Sequence, residues 1–342
     1  MKLKLPLLCK TAQLLILKSL IISIATFANM AKPEDLRIIF MGTPAFAVAS
    51  LEALVNAGCN IVAVVTAPDK PAGRGMQLQQ SAVKQFATAH NLPVLQPEKF
   101  KNTEFLTNLQ SLKADLQVVV AFRMLPEVVW SMPKMGSLNL HGSLLPQYRG
   151  AAPINWAVIN GEAVTGVTTF QLKHAIDTGD ILLQEEIKIG ENDTAGEVHD
   201  RMMYIGASLL LRTVKALAAK TIQEQSQSIK SNLLQEQLHH APKLFTENCR
   251  INFNKSINEV HNLIRGLSPF PGAFTYLNGK MLKIYKSEKE TGVKTISIGN
   301  YSTDGKTFLK FACTDGFIQV KELQLEGKKR MLVEDFLKGF RP

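Results

Sequence analysis

Two polar side chains that could carry acid–base chemistry lie two residues apart in the stretch from Ser137 to Gly150. Asn139 and His141 belong to a short apolar run that passes directly into a turn rich in Gly and Pro. Successive side chains of a strand point to opposite faces, so Asn139 and His141 share one face. Histidine exchanges a proton near neutral pH, and an asparagine amide can donate to a developing oxyanion. The spacing indicates a catalytic strand end, although an ordinary polar strand face has the same pattern.

A longer motif surrounds this pair. The segment from His141 to Pro153 reads His-Gly-Ser-Leu-Leu-Pro-Gln-Tyr-Arg-Gly-Ala-Ala-Pro, Asn139 precedes it, and an Asp-Thr-Gly-Asp turn follows at Asp177. In their order and spacing these elements resemble the signature of the folate-dependent formyltransferases. The resemblance extends from the apolar run at Leu36 to the end of the chain.

The resemblance implies a catalytic set of Asn139, His141 and Asp177. His141 would polarise the formyl oxygen or take up the proton of the amine, Asn139 would donate to the oxyanion, and Asp177 would orient and stabilise the imidazole. No Ser or Cys stands in a recognisable nucleophile motif, which favours direct transfer. The implied formyl donor is 10-formyltetrahydrofolate, with no metal. The folate pocket of the family falls on Phe122, Arg123, Met124, Leu125, Ser143, Leu144, Leu145 and Pro146.

The resemblance also implies that the formyl acceptor is initiator methionyl-tRNA. Arg74, in a Pro-Ala-Gly-Arg-Gly loop, falls on a key arginine of the family, and Met76 and Gln77 follow it where many relatives carry lysines. The expected tRNA-binding residues are Arg74, Lys70, Arg149, Lys328, Lys329 and Arg330.

Two alternatives remain open. The same three catalytic side chains could formylate a small amine, such as glycinamide ribonucleotide or a nucleotide sugar. The chain could also be an RNA-binding protein that has lost activity. The intact catalytic set speaks against inactivity, and a basic second domain favours the tRNA over a small amine.

The charge of the chain is uneven. Residues 241–342 contain 17 Lys and Arg against 10 Asp and Glu, whereas residues 31–240 contain 18 against 19. A basic C-terminal third on a near-neutral body suggests a polyanionic partner. The four cysteines are scattered and form no metal-ligand spacing, which suggests a reducing compartment. We expect a cytoplasmic monomer.

The first thirty residues require separate treatment. Lys2, Lys4 and Lys10 precede an apolar run that Lys18 interrupts, which is a poor match to a signal peptide and too short for a convincing membrane span. Met30 stands just before the first expected strand. We therefore expect translation to begin at Met30, residues 1–30 to be a non-structural extension, and no membrane association.

Apolar runs at 36–40, 61–66, 115–122 and 137–141 alternate with amphipathic segments. This alternation predicts a parallel sheet with helices on both faces, an α/β fold with a Rossmann-like open sheet over residues 31–222. No GxGxxG motif is present, so a dinucleotide cofactor is not expected. The segment 68–75 is rich in Pro and Gly, which predicts irregular backbone.

A second domain is predicted after a Gln-rich linker at 223–240. Within 241–342, short β-type runs at 273–277, 281–286, 295–298, 307–312 and 317–325 are separated by hairpin signals such as Asn278-Gly279. About five short strands fit a small barrel of the oligonucleotide-binding type, and the resemblance implies the same fold. Lys328, Lys329 and Arg330 form its densest basic cluster.

Overall fold

The computed structural model describes residues 32–72, 76–230, 238–292 and 296–341. The predictions made for residues 1–30 and for Arg74 lie outside the described residues. The predicted linker at 223–240 and the predicted strand at 295–298 lie partly outside them.

The N-terminal part alternates strands and helices. In chain order its elements are β1 (Ile38–Gly42), α1 (Ala45–Asn56), β2 (Ile61–Val65), β3 (Lys70–Ala72), β4 (Gln77–Gln79), α2 (Ala82–Ala89), β5 (Val94–Leu95), α3 (Thr103–Ser111), β6 (Leu116–Val120), α4 (Glu127–Trp130), β7 (Ser137–His141), β8 (Arg149–Gly150), α5 (Pro153–Ile159), β9 (Val164–Gln171), β10 (Ile181–Lys188) and α6 (Ala195–Ala218). Seven strands form one sheet in the order β10-β9-β7-β6-β1-β2-β5. Strands β5, β2, β1, β6 and β7 are parallel, and β9 pairs antiparallel with both β7 and β10.

This sheet is buried on both faces. On β1, Ile38 and Phe40 belong to one apolar cluster, while Ile39 and Met41 belong to a second cluster on the opposite face. A parallel strand covered by helices on both sides reads as a continuous hydrophobic run, which is what the sequence of β1 shows. The predicted α/β architecture is confirmed, and β6 lies at the centre of the sheet as expected.

Packing against α6 determines which side chains of β7 lie on each face of the strand. Leu138 and Leu140 are buried in the same cluster as Met202 and Leu209 of α6. Fully burying a leucine is worth about 1.5–3 kcal/mol, so these leucines hold the register of the strand. The alternating polar residues of β7 therefore face away from α6.

The C-terminal part is mostly antiparallel sheet. Its elements are α7 (Gln227–Lys230), β11 (His240–Ala241), α8 (Ile257–Gly266), β12 (Ala273–Leu277), β13 (Lys280–Thr291), β14 (Tyr301–Thr303), β15 (Leu309–Ala312), β16 (Gly316–Leu325), β17 (Met331–Leu332) and α9 (Val333–Leu337). The strands β12-β13-β16-β15-β14 pair in that order, and β17 adds to β16. The sheet curls into a half-barrel around its own apolar core, to which α8 contributes Ile257, Val260 and Ile264. The expected barrel-like fold is confirmed.

Two local predictions are wrong. Within the segment 68–75, residues 70–72 are not irregular, because they form β3, which pairs with β4 in a small antiparallel hairpin with Lys70 opposite Gln79. Backbone pairing across the hairpin outweighs its Pro and Gly content. Residues 296–298 are not a strand, and the strand of that region is Tyr301–Thr303, after Gly299 at φ 83°.

The two sheets are joined by direct contacts. The Arg265 guanidinium on α8 donates to the carbonyl oxygens of Gly190 (3.2 Å) and Asp193 (3.0 Å), and Asn155 Nδ2 on α5 donates to Gly266 O (2.7 Å). Arg265 is buried at this contact, and burial lowers its pKa. Within the described ranges, no helix has the length and apolar character that crossing a membrane requires.

Candidate active site

His141 ends β7 at the carboxyl edge of the sheet, where open α/β sheets bind ligands. Its Nε2 lies 2.9 Å from the carbonyl oxygen of Tyr148, and its Nδ1 lies 3.8 Å from Oδ2 of Asp177. The side chains of His141 and Asp177 are only 8% and 12% exposed, so their charges interact with little screening by water. The structure thus brings together two of the three predicted catalytic residues.

The third, Asn139, lies on the same face of β7 as His141. It is half-buried and stands between Val119 of β6 and Phe170 of β9 in the sheet. Across the part of the chain that the structure describes, no hydrogen bond engages its side-chain amide. That amide is therefore available to an oxygen of a bound molecule.

The loop after His141 is anchored to β9 by one hydroxyl group. Thr168 Oγ1 donates to Ser143 O (2.6 Å) and accepts from the backbone N–H of Leu145 (3.1 Å) and from Gln184 Nε2 (2.9 Å). The side chains of Ser143 and Leu145 are buried, and Gln184 Nε2 also donates to Leu145 O (2.8 Å). Leu144 and Pro146, from the predicted folate set, flank Leu145 in the same loop.

Tyr148 helps to hold the loop that follows His141. Its hydroxyl donates to Glu162 Oε1 (2.5 Å) and accepts from Asn160 Nδ2 (3.1 Å), and its ring stacks on His239. Burial and the Glu162 carboxylate both raise the pKa of Tyr148, so its hydroxyl remains protonated. The backbone of Tyr148 is left-handed, at φ 59°, which turns its carbonyl toward His141.

The turn that carries Asp177 is tightly fixed. Asp177 itself is left-handed, at φ 54°, and its Oδ2 accepts from the backbone N–H of Gly150 (2.9 Å). Gly179 lies so close to β9 that a Cβ atom there would stand 1.5 Å from Gln171 O. Only glycine fits this position, so the turn has one conformation.

The other predicted folate segment follows β6. Among the described residues, no hydrogen bond within the chain satisfies the backbone groups of Phe122, Met124 or Leu125. The Arg123 guanidinium instead donates to Glu98 O (3.0 Å) and Pro97 O, and stacks 4.0 Å from the centre of the Phe100 ring. Its partial burial lowers its pKa. Arg123 can therefore contact a ligand through its backbone, while its side chain holds the segment in place.

The predicted tRNA-binding residues differ in their surroundings. Lys70, Lys328 and Lys329 are exposed, and Arg74 is outside the described residues. Arg330 forms a two-pronged ion pair with Glu322 at 2.6 and 2.7 Å and stacks over Tyr285. Arg149 is half-buried, and its Nε and Nη2 donate to Gln227. Burial lowers the pKa of Arg149, while the charge of Asp177 opposes that shift.

A cleft of about 590 Å³ lies at the junction of the two sheets, away from His141. Lys243 and Lys283 contribute positive charge to it, and Phe245 and Phe270 are exposed aromatic rings at its edge. No part of the sequence reasoning singled out this cleft. Its lining comes from segments that are far apart in the chain, so the sequence carried no compact motif for it.

Sequence reasoning also missed Gln227 and Thr168. Gln227 is 3% exposed and bonds to both Arg149 and the turn of Asp177. It lies in a Gln-rich segment in which nothing distinguishes it from its neighbours.

The described residues contain no group of three or more His, Cys, Asp or Glu side chains placed to hold a metal ion.

Comparison with known proteins identifies the family of the chain. A family model described as formyl transferase matches residues 36–214, and one described as formyl transferase, C-terminal domain, matches residues 243–341. Methionyl-tRNA formyltransferase of Bacteroides fragilis is 52% identical over 317 residues, covering 90% of this chain and 96% of the relative. The enzyme of the same name from Phocaeicola vulgatus is 53% identical over 315 residues, covering 90% and 97%.

Among solved structures, an N-formyltransferase from Helicobacter canadensis, in complex with folinic acid and dTDP-3-aminofucose, superposes with a TM-score of 0.61. It is 23% identical and covers 83% of this chain and 98% of its own, a likeness that shows the fold. The two matched family models and the near full-length relatives settle the family. The chain belongs to the formyl transferase family.

Proposed function

We propose that this chain transfers a formyl group from 10-formyltetrahydrofolate to the free amino group of methionyl initiator tRNA. The observation that carries this proposal is the 52% identity, over nearly the full length of both chains, to methionyl-tRNA formyltransferase of Bacteroides fragilis. The geometry of the site supplies the parts that formyl transfer to an amine requires: a proton acceptor, an oxyanion donor and a charge partner for the acceptor.

The proton acceptor is Nδ1 of His141. A carbonyl oxygen can only accept a hydrogen bond, so Nε2 must donate its proton to Tyr148 O (2.9 Å). In the neutral ring Nδ1 is then the bare nitrogen, and it faces Asp177 Oδ2 at 3.8 Å. The amine loses a proton as it attacks the formyl carbon, and Nδ1 is free to take that proton. Asp177 then stabilises the imidazolium, which returns the proton to N10 of the folate as the bond between N10 and the formyl carbon breaks.

Asn139 has the second role. Attack on the formyl carbon places negative charge on the formyl oxygen, and a neutral amide N–H can stabilise that charge without a proton transfer. The side chain of Asn139 lies on the same face of β7 as His141. Losing one such donor typically reduces the rate on the order of 10²–10³-fold.

The folate donor would lie between two backbone-rich segments. Phe122–Leu125 follows β6 and has backbone groups without partners in the described chain, while the loop of Ser143–Pro146 is held by Thr168. A pterin ring carries donors and acceptors along its edge, which backbone N–H and C=O groups can match. We propose that these segments hold it, with Met124, 75% exposed, at the open side.

The tRNA would approach over the C-terminal sheet. This part of the chain carries most of the excess positive charge, and phosphate contacts dominate the affinity of proteins for nucleic acids. The cleft with Lys243, Lys283, Phe245 and Phe270 combines cations with stacking rings, the pairing that unpaired nucleotides favour. We assign catalysis to residues 31–222 and tRNA binding to residues 241–342, with Lys70, Arg74 and Arg149 contributing from the catalytic side.

A translation substrate places the protein in the cytoplasm, and one site per chain needs no second copy. We therefore propose a cytoplasmic monomer. Sedimentation at micromolar concentration should give the mass of a single chain, and a dimer mass would contradict this.

The test is a direct comparison of acceptors. Purified protein is incubated with 10-formyltetrahydrofolate and, in parallel, methionyl initiator tRNA, methionyl elongator tRNA, a dTDP-amino sugar and glycinamide ribonucleotide. We expect formyl transfer to the initiator tRNA to exceed transfer to each of the others by at least about 10²-fold in kcat/KM, a difference of about 3 kcal/mol in transition-state binding. Faster transfer to either small amine would overturn the proposal.

A further inference from the structure

Gln227 has a side chain with every hydrogen-bonding position occupied, although it stands outside both catalytic loops. Its Nε2 donates to Asp177 O (2.9 Å) and Gly179 O (2.7 Å), and its Oε1 accepts from Nε (3.0 Å) and Nη2 of Arg149. The side chain is 3% exposed. A primary amide offers two donor hydrogens and two acceptor positions, and these contacts use all four.

These bonds close a ring around the catalytic carboxylate. Asp177 accepts from Gly150 N–H through its side chain and from Gln227 through its backbone, and Gln227 in turn binds Arg149, the neighbour of Gly150. The turn that carries Asp177 and the segment Arg149–Gly150 are thereby connected twice, once through the Asp177 carboxylate and once through Gln227.

The side chain of Gln227 is not needed to attach its own segment to the sheet. Gln225 already bonds to Ile181 in both directions through backbone atoms (2.8 and 2.9 Å), and β11 pairs with β8. The segment is thus tied to the catalytic part on both sides of Gln227 without it. The buried amide bonds to the turn of Asp177 and to Arg149.

We propose that Gln227 is a positioning residue, whose amide holds the Asp177 carboxylate at its working distance from His141. This rests on the proposed function, in which Asp177 stabilises the imidazolium. Buried groups that orient a reacting side chain commonly affect activity by 10–100-fold without touching substrate. Gln227 touches none of the reacting atoms, so its loss should lower kcat and leave KM for 10-formyltetrahydrofolate unchanged.

Two substitutions separate the contacts. Gln227→Met keeps the length of the side chain and removes all four hydrogen bonds. Gln227→Glu keeps an acceptor for Arg149 but sets oxygen against the carbonyls of Asp177 and Gly179. We expect both to lower kcat by about 10-fold or more, with KM for 10-formyltetrahydrofolate within about twofold. Gln225→Met is the matched control, since its exposed side chain contributes none of the backbone bonds, and it should behave as wild type.

A double-mutant cycle distinguishes positioning from general loosening. In the Asp177→Asn background the carboxylate no longer needs to be held, so adding Gln227→Met should cost less than about twofold in kcat. A full additional loss of about 10-fold would mean that Gln227 acts elsewhere, and wild-type kcat in Gln227→Glu would overturn the proposal outright.

A second measurement does not depend on catalysis. Labelling with ¹³C-carbonyl arginine and ¹⁵N-glycine selects amides of Arg-Gly pairs, of which the sequence has three, at Gly75, Gly150 and Gly266. The Gly150 amide donates to Asp177, so Gln227→Met should raise its hydrogen-exchange rate at least about tenfold and leave the helical Gly266 amide unchanged. Unchanged exchange at Gly150 would refute the positioning role. Wild-type protein that does not formylate methionyl-tRNA would instead refute the proposed function and leave this result standing.

Discussion

His141 and Asn139 can be shortened without opening the apolar core, because Leu138 and Leu140 carry the packing of β7 on its other face. We expect His141→Ala to lower kcat on the order of 10²–10⁴-fold, the usual contribution of a general acid or base. Asn139→Ala should lower kcat on the order of 10²–10³-fold, because the oxyanion then has one donor fewer. The denaturation midpoint should change little in Asn139→Ala, whereas His141→Ala leaves the buried carbonyl oxygen of Tyr148 without its partner and should lower the free energy of unfolding by about 1–3 kcal/mol.

These values are checked by steady-state formylation of methionyl-tRNA beside urea denaturation. His90→Ala serves as a control, because His90 is exposed near the end of α2 and should retain full activity. Near-wild-type turnover in His141→Ala or Asn139→Ala, in a folded protein, would remove that residue from the mechanism.

At the level of residues, the sequence predicts some of this site and omits the rest for a physical reason. The common face of Asn139 and His141 follows from the two-residue period of a strand. Asp177 could be assigned only through the family resemblance, because no periodicity links a turn to a distant strand. Gln227 had no signal at all, since its role arises from contacts to Arg149 and Asp177 that only the folded chain creates.

Among the elements, β9 holds the loop after His141 through a single buried hydroxyl. Thr168→Val would leave Ser143 O and the Leu145 N–H without their partner. Unsatisfied buried groups cost about 1–3 kcal/mol, so we expect a loss of that size in the free energy of unfolding. Folate affinity should fall as well, because the loop that faces the ligand loosens. Urea denaturation and folate titration measure the two effects.

Thr165, also on β9, is the matched control for Thr168. We expect its substitution to have the opposite effect on the free energy of unfolding. It is buried, and its hydroxyl has no hydrogen-bond partner among the described residues. Thr165→Val removes a polar group that is already unsatisfied, so stability should stay constant or rise slightly. Equal destabilisation by both substitutions would show that shape at β9, and not the Thr168 hydrogen bonds, holds the loop.

Helices and strands were predicted best where one strong local sequence pattern determines the backbone conformation. Asn278-Gly279 forms the predicted hairpin with both residues left-handed, and a capping box of Thr194 and Glu197 starts α6. The hairpin β3–β4 was missed because pairing between two short polar segments leaves no hydrophobic period. Strand β13 (Lys280–Thr291) is longer than the apolar run predicted at 281–286, because its backbone pairing with β16 continues to Thr291.

For the molecule as a whole, His261 makes the stability of the C-terminal sheet depend on pH. Its Nδ1 contacts Ser287 Oγ at 3.0 Å. Burial, together with the charges of Arg265 and Lys289 and against the opposing effect of Glu191, lowers the pKa of His261 to about 4. The folded state thus holds a neutral imidazole that the unfolded chain would protonate near pH 6.5. The neutral His261 makes its full contribution to the free energy of unfolding above pH 6.5, and this contribution is lost as the pH falls toward 4.

His261→Gln should remove this dependence, because glutamine does not titrate. Between pH 7 and pH 5 we expect the wild-type free energy of unfolding to fall by about 1–2 kcal/mol more than that of the variant. Urea denaturation at both pH values measures the difference. The exposed His90→Gln should keep the wild-type dependence, and a variant as acid-sensitive as wild type would contradict a buried neutral His261.

The basic cluster at 328–330 divides into two kinds of side chain when the whole surface is considered. Lys328 and Lys329 are exposed and enter no ion pair within the described chain, whereas Arg330 is paired with Glu322 and stacked on Tyr285. Replacing both lysines by Gln should weaken binding of initiator and other tRNAs alike. The slope of log affinity against log salt should flatten by up to about one unit for each phosphate that the variant no longer neutralises.

Arg330→Gln should act differently, because its charge is already neutralised by Glu322 at 2.6 and 2.7 Å. We expect its salt slope for tRNA binding to match wild type within error, with a small loss of stability, since exposed ion pairs are worth about 0–1 kcal/mol. Filter binding over a salt series, with initiator and elongator tRNA, compares the two variants. If Arg330→Gln flattened the slope as much as a lysine substitution, Arg330 would have to leave Glu322 for a phosphate when tRNA binds. If neither variant changed the slope, the tRNA would not lie across this end of β16, and the cleft lined by Lys243 and Lys283 would be the surface to test next.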